Sequence, residues 1–122
     1  GVKPGDKVII TPMTFAASAN CIRYCGGEVV FCDIDRDTYL MDIRKLRELL
    51  AAHSKGTFKG IVPVDFAGYP HRMEKFRCLA DEYDLWILVL SMFRNIGNVM
   101  CCSENYLNYT GSSGIWKKTY KH

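Results

Sequence analysis

Four short apolar runs, each separated from the next by a segment with helical spacing, constrain the fold of this chain more than any other feature. The runs are Lys-Val-Ile-Ile-Thr at 7–11, Val-Val-Phe-Cys at 29–32, Gly-Ile-Val-Pro-Val-Asp at 60–65 and Leu-Trp-Ile-Leu-Val-Leu at 85–90. Their length and β-branched content are typical of strands, whereas the segments between them repeat apolar residues at helical spacing. The order β-α-β-α-β-α-β predicts an α/β fold, with right-handed crossovers onto a parallel sheet.

Polar and glycine residues indicate where the helices begin and end. Thr14 is predicted to cap a first helix over about residues 15–25, and Gly26-Gly27 to end it, because glycine adopts the left-handed conformation without penalty. Asp42 is predicted to cap a second helix. A third helix is expected over about residues 72–83, with one apolar face made of Met73, Phe76, Leu79, Ala80 and Tyr83.

The strands differ in the surroundings that their residues predict. The run 29–32 reads as a buried strand, and the run 85–90 is typical of a strand covered on both faces. Pro63 interrupts the third run and is better suited to an edge strand or a bulge, since proline donates no hydrogen bond. Beyond residue 90 neither period continues, so we expect one α/β unit over residues 1–90 and an irregular tail over 91–122.

Size and charge exclude several classes of protein. The chain has 122 residues, about the size of one domain. Its net charge of +3 is spread among acidic residues, which argues against a nucleic-acid partner. Its first residues lack the pattern of a secretory signal. No apolar run approaches the ~20 residues that span a bilayer, so we expect a cytoplasmic protein without a membrane partner.

The six cysteines do not predict a metal site. In the cytosol thiols stay reduced, so a disulfide framework is not expected. Cys21 and Cys25 lie four residues apart on the first predicted helix, and Cys32 lies on a strand. Cys101 and Cys102 are adjacent, which is not the spacing of a zinc knuckle. We therefore interpret the cysteines as buried or incidental thiols and expect no bound metal.

A ligand site is expected at the carboxyl ends of the strands, as in other parallel α/β sheets. Thr11 to Phe15, Cys32 to Asp35 and Asp65 to Gly68 are the candidate segments. A dinucleotide site would need a Gly-x-Gly-x-x-Gly turn after a strand, and the chain has none. Without those glycines, Asp33 and Asp35 are interpreted as turn formers rather than as ribose ligands.

Two segments resemble one family of enzymes. The first is Thr-Pro-Met-Thr-Phe-Ala-Ala-Ser-Ala-Asn-Cys-Ile-Arg-Tyr-Cys-Gly-Gly at 11–27, running on to Phe31-Cys-Asp-Ile-Asp35, and the second is Val-Asp-Phe-Ala-Gly-Tyr-Pro at 64–70. Over about residues 1–88 the chain resembles the large domain of the DegT/DnrJ/EryC1/StrS sugar aminotransferases. The resemblance implies a fold-type-I transferase that uses pyridoxal phosphate (PLP), with a nucleotide-sugar and glutamate as substrates and a homodimer as the assembly. It also implies a role in the biosynthesis of surface polysaccharides.

The resemblance carries over to three residues. In the family an aromatic residue in the Thr-Pro-x-Thr-Phe segment stacks on the PLP ring, which assigns stacking to Phe15 and a place beside the cofactor to Thr14. The Asp-Phe-Ala-Gly segment makes Asp65 a candidate for the pocket wall, although a carboxylate that caps the next turn is an equally good interpretation. His71 and Arg72 stand where the family has an apolar residue and an acid, and both are interpreted as surface residues.

The chain departs from the family after Leu88. The family continues with Glu-Asp, two small residues and His or Gln, and this Asp binds the pyridine nitrogen; here Val89 and Leu90 follow. Lys117 and Lys118 do not match the Schiff-base lysine, and the Gly-Thr phosphate loop of the family would lie before Gly1. No residue is therefore assigned a catalytic role. We expect an inactive internal piece of such an enzyme with a tail from a shifted reading frame, and a non-catalytic α/β binding or interaction module is the alternative.

Overall fold

The computed structural model describes residues 1–91, and at residue 91 only the backbone. The expected alternation of strands and helices is confirmed, with a 3-10 turn at Phe66–Gly68. The elements in chain order are β1 Lys7–Ile10, α1 Ala17–Tyr24, β2 Glu28–Phe31, α2 Ile43–Ala51, β3 Phe58–Val62, β4 Val64–Asp65, α3 Met73–Tyr83, β5 Trp86–Ile87 and β6 Leu90–Ser91. The tail expected from residue 91 lies, from 92 onward, outside the described residues.

The strands form a parallel sheet in the order β2-β1-β3-β5. The register places Ile9 of β1 beside Val30 of β2 and Ile61 of β3. Val64 and Asp65 of β4 pair with residues 90 and 91 of β6, also in parallel. The α/β class and the parallel sheet predicted from the sequence are thus confirmed.

The helices divide between the two faces of the sheet. From β1 the chain moves outward to β2 and then returns past β1 to β3, so right-handed crossovers place α1 on one face and α2 and α3 on the other. Two apolar clusters follow this division. The α1-side cluster comprises Val8, Ile10, Ile22, Val62, Val64 and Leu90. The α2/α3-side cluster comprises Ile9, Cys32, Met41, Leu46, Leu50, Phe58, Ile61, Phe76 and Leu79.

The helix ends agree with the sequence except at one position. Asp42 caps α2, since its side chain accepts a hydrogen bond from the Arg44 amide at 2.8 Å. Gly26, at φ +79°, follows the end of α1 in the left-handed conformation, as predicted. The prediction that Thr14 caps α1 was wrong. The helix begins at Ala17, so the N-cap residue is Ala16, which has no side chain that could accept a hydrogen bond.

Two predictions about strand burial were wrong. The strand β2 is an edge strand, with Val29 and Val30 half-buried and Phe31 exposed, because nothing pairs with its outer side in the described residues. The run 85–90 forms two short strands, β5 and β6, rather than one. Trp86 is 39% exposed, so the strand is not covered on both faces.

Pro63 breaks the third predicted strand into β3 and β4 and is fully buried. The strand β3 lies in the interior of the sheet, but its pairing with β1 ends at Ile10 and Val62, so no donor is needed from residue 63 on that side. On the other side the Pro63 carbonyl accepts a hydrogen bond from the Leu90 amide at 3.0 Å. Pro63 therefore lies at a break between β3 and β4 in the interior of the sheet, and not in an edge strand.

Within residues 1–91, no helix has both the length and the apolar composition that crossing a membrane requires.

Candidate functional site

Among the described strands, the sheet has one topological switch point, between β1 and β3, where the strand order changes direction. In open α/β sheets, ligands bind outside the carboxyl ends of the strands at this point. Thr11 follows β1 there and is 1% exposed, and its Oγ1 has no hydrogen-bond partner among the described residues. A buried hydroxyl without a partner is uncommon in native proteins, so it indicates a place where another polar group is expected.

Thr14 and Phe15 lie in the turn between β1 and α1, at the same end of the sheet. The Thr14 Oγ1 and the Ser18 Oγ are 2.7 Å apart, and the Phe15 carbonyl accepts a hydrogen bond from the Ser18 amide at 2.9 Å. This small network fixes the turn, and Phe15 remains 56% exposed. Phe15 is therefore not an ordinary core residue, and its ring is open to a flat ligand. That Thr14 and Phe15 contact a cofactor remains a prediction.

Asp65 ends β4 and is 4% exposed. Its Oδ1 accepts hydrogen bonds from the backbone amide of His71 at 3.1 Å and from the imidazole Nδ1 of His71 at 2.8 Å. The carboxylate therefore closes the turn that follows β4, which was the second of the two interpretations of this residue. A contact of Asp65 with a cofactor remains a prediction.

The interpretation of His71 as a surface residue was wrong. His71 is 6% exposed, and its Nε2 accepts a hydrogen bond from the Met41 amide at 3.2 Å. Since Nδ1 donates to Asp65 and Nε2 accepts from Met41, the ring is held as the neutral Nδ1–H tautomer. Both ring nitrogens are occupied, so His71 is not placed to act as a general base. Sequence periodicity cannot identify such a residue, because it lies outside a helix or strand. Arg72 is exposed, as predicted.

Asp33 and Asp35, which follow β2, are turn formers as predicted. The Asp33 carboxylate lies 2.6 Å from the Lys45 Nζ, and this bond is the main cause that lowers the pKa of Asp33. The Asp35 carboxylate accepts hydrogen bonds from the amides of Asp37 and Thr38, and these lower the pKa of Asp35. Asp33 is thus bonded to Lys45 of α2 and Asp35 to the amides of its own turn, which accounts for both carboxylates without a ribose.

Leu90 stands where the resemblance assigns the acid that binds the pyridine nitrogen. It is 7% exposed and packs in the α1-side cluster with Val64 and Ile10. The described residues therefore fit PLP in part. Phe15 offers an aromatic face and Thr11 an unpaired hydroxyl, but Leu90 gives no carboxylate and the Asp65 carboxylate is bonded to His71. No catalytic step through PLP follows from these residues. Within residues 1–91, no three His, Cys, Asp or Glu side chains are grouped to hold a metal ion.

Solved structures and curated proteins are similar to this chain in fold or in sequence. NtdA from Bacillus subtilis, solved with the cofactor PMP bound, superposes with a TM-score of 0.66 at 31% identity, covering 73% of this chain and 20% of that chain. The spore coat polysaccharide biosynthesis protein SpsC of Bacillus subtilis is 36% identical over 88 residues, and the GDP-perosamine synthase of Caulobacter vibrioides is 34% identical over 88 residues. The fold is that of the fold-type-I PLP-dependent aminotransferases.

A family model for the DegT/DnrJ/EryC1/StrS aminotransferase family matches residues 1–89, and the chain belongs to this family. Solved relatives in it hold PLP or PMP. The two curated relatives are matched over 72% of this chain in each case, which is 22% of SpsC and 23% of the synthase. The chain thus spans between a fifth and a quarter of their length.

Proposed function

We propose that this chain is part of the cofactor-binding domain of a nucleotide-sugar aminotransferase. In such an enzyme PLP carries an amino group from glutamate to a keto-sugar linked to a nucleotide, in a homodimer, for the synthesis of surface polysaccharide. The family match over residues 1–89 carries the proposal. It is supported by Phe15, an exposed aromatic residue beside the switch point of the sheet. Residues 1–90 form the partial domain, residues 91–122 form an irregular tail, and the shifted reading frame begins after codon 88.

We propose further that the chain itself does not transfer amino groups. PLP serves as an electron sink only when a carboxylate keeps its pyridine nitrogen protonated. Leu90 stands at this position, buried among apolar side chains, and cannot supply that charge.

The alternative is a non-catalytic α/β binding or interaction module, and one observation favours it. The Asp65 carboxylate is closed off by His71, and Leu90 completes the α1-side cluster. At the carboxyl edge of the sheet, Asp65 and Leu90 are therefore both engaged in contacts within the chain. An active enzyme would use these two positions to bind its ligand. Such a module would keep the fold without the cofactor.

A titration with PLP is the first half of the test. The purified chain is mixed with PLP and scanned for a visible band, and is then assayed for amino transfer from glutamate to a keto-sugar nucleotide, with the GDP-perosamine synthase of Caulobacter vibrioides as the positive control. We expect no turnover from this chain. Turnover would show that the chain is an enzyme, and Lys117 and Lys118 would then be substituted in turn.

A gene with the frame restored after codon 88 gives the second half of the test. If the parent was an aminotransferase, the restored protein gains the visible band and turns over substrate. A restored protein that remains without a band contradicts the proposed function and supports the binding module.

A further inference from the structure

Two loops at the carboxyl edge of the sheet are joined through the imidazole of His71. We define the β2–α2 connector as residues 32–42 and the β4–α3 turn as residues 66–72. The connector is folded on itself, with a bridge between Ile34 and Met41. It meets the turn at two places, where the Met41 amide bonds to His71 and where the ring centroids of Tyr39 and Phe66 lie 5.5 Å apart. Of these two contacts, only the hydrogen bond between Met41 and His71 depends on the protonation of a side chain.

The geometry admits one protonation state of the ring. The Met41 amide can only donate, so Nε2 must be unprotonated to accept it at 3.2 Å, and Nδ1 must carry the proton that bonds to Asp65 at 2.8 Å. A proton added at Nε2 would place two donors opposite each other. The bond to Asp65 would survive this change, because Nδ1 still donates to the carboxylate.

We propose that His71 is a pH-sensitive tie between the β2–α2 connector and the β4–α3 turn. The neutral ring bonds to both sides, and the protonated ring keeps Asp65 but releases the Met41 amide. The released connector carries Asp42, the residue that caps α2. Acidification therefore loosens the carboxyl edge at the connector while the sheet beneath it stays intact.

The groups that contact the His71 ring come from β4, α3 and the connector. The group from β4 is the Asp65 carboxylate, and from α3 it is the uncharged ring of Phe76, in an edge contact with centroids 5.1 Å apart. From the connector it is the Met41 amide. Asp65 thus provides the one ionisable side chain that bonds to His71 in the described residues.

Two ionisable groups of the connector, Asp42 and Cys32, do not change charge between pH 5 and pH 8, the range in which an ordinary histidine side chain titrates. The pKa of Asp42 lies below its ordinary value of 3.8 because Arg44 bonds to its carboxylate. Burial raises the pKa of the Cys32 thiol to about 12. Neither of these two groups is therefore expected to cause a change in the connector over this range.

Hydrogen exchange read by mass spectrometry tests the tie on the full chain. The protection of the Met41 amide is measured at about pD 8 and about pD 5, each relative to the intrinsic exchange rate at that pD, since histidine titrates between these values. Loss of one hydrogen bond predicts about a fivefold fall in protection at Met41. The Ile9 amide in β1 is the internal reference and should not change.

Two variants complete the test. His71→Asn keeps a donor for Asp65 but is too short to reach Met41, so Met41 should exchange fast at both values. His53→Asn is the matched control, because His53 is exposed and its ring contacts the Leu49 carbonyl at the end of α2, and it should keep the response of the parent chain. The proposal is overturned if Met41 in the unmodified chain is equally protected at both pD values. That measurement needs no variant, so it decides the matter even if His71→Asn does not fold.

Discussion

The indole ring of Trp86 lies over the backbone of Gly60, its partner in the β3–β5 pair. A Cβ atom built on Gly60 would overlap the Cδ2, Cε2 and Cε3 atoms of the ring. Glycine is therefore required at position 60 because the Trp86 ring lies too close to leave room for a side chain, and not because of the backbone conformation.

Gly60→Ala should destabilise the chain by about 1–3 kcal/mol, because the new methyl group has to displace the Trp86 ring. The free energy of unfolding is measured by urea titration followed by far-UV circular dichroism. Lys59→Ala is the matched control, since Lys59 is the exposed neighbour on the same strand. Equal stability of the two variants would show that the ring is not seated on Gly60.

The four described cysteines should differ in their reaction with a thiol reagent. Burial raises the pKa of Cys32 to about 12, so at pH 8 its thiol stays protonated and inaccessible, whereas Cys21, Cys25 and Cys78 are exposed. The thiolate is the reactive form. Peptide mapping after brief alkylation should find the three exposed residues modified and Cys32 unmodified. Alkylation in urea should remove the difference, and modification of all four without urea would contradict the burial of Cys32.

Asp42 should stabilise the chain in a pH-dependent way. The hydrogen bonds from Arg44 lower the pKa of Asp42 below its ordinary value of 3.8, so the stabilisation is present above about pH 4 and is lost as the pH falls through the folded-state pKa. Asp42→Ala should cost about 1 kcal/mol at neutral pH through the loss of the α2 cap. Asp37→Ala, at an exposed position of the same connector, should change stability little. Urea titrations at pH 7 and at acidic pH measure both effects, and an Asp42→Ala cost that persists unchanged at acidic pH would contradict the assignment.

The coding DNA should contain the family sequence in another frame after codon 88. The match to the family model ends at residue 89, and Val89 and Leu90 stand where an acidic pair is expected. One of the two alternative frames should encode Glu-Asp, two small residues and His or Gln directly after Trp86-Ile-Leu. Sequencing the gene checks this. If neither frame contains the motif, the tail is not a frame shift and a degenerate homologue becomes the better account.

Local sequence determined the alternation of strands and helices and most of their ends. The apolar spacing of Leu46 and Leu50, the Asp42 cap and the left-handed Gly26 are each set by residues within one or two turns, so the sequence predicts them directly. Right-handed crossovers restrict the face of the sheet on which each helix lies, but they do not fix the order of the strands.

Only the tertiary structure decided which strand lies at an edge and which polar residue is buried. Val29 and Val30 have the composition of a buried strand, but their exposure depends on whether another strand lies beside β2. His71 reads as a surface residue because its partners, Asp65 and the Met41 amide, are separated from it by 6 and 30 positions. Burial of a polar group is stable only when such partners meet, and the packing of distant segments, not their local pattern, brings them together.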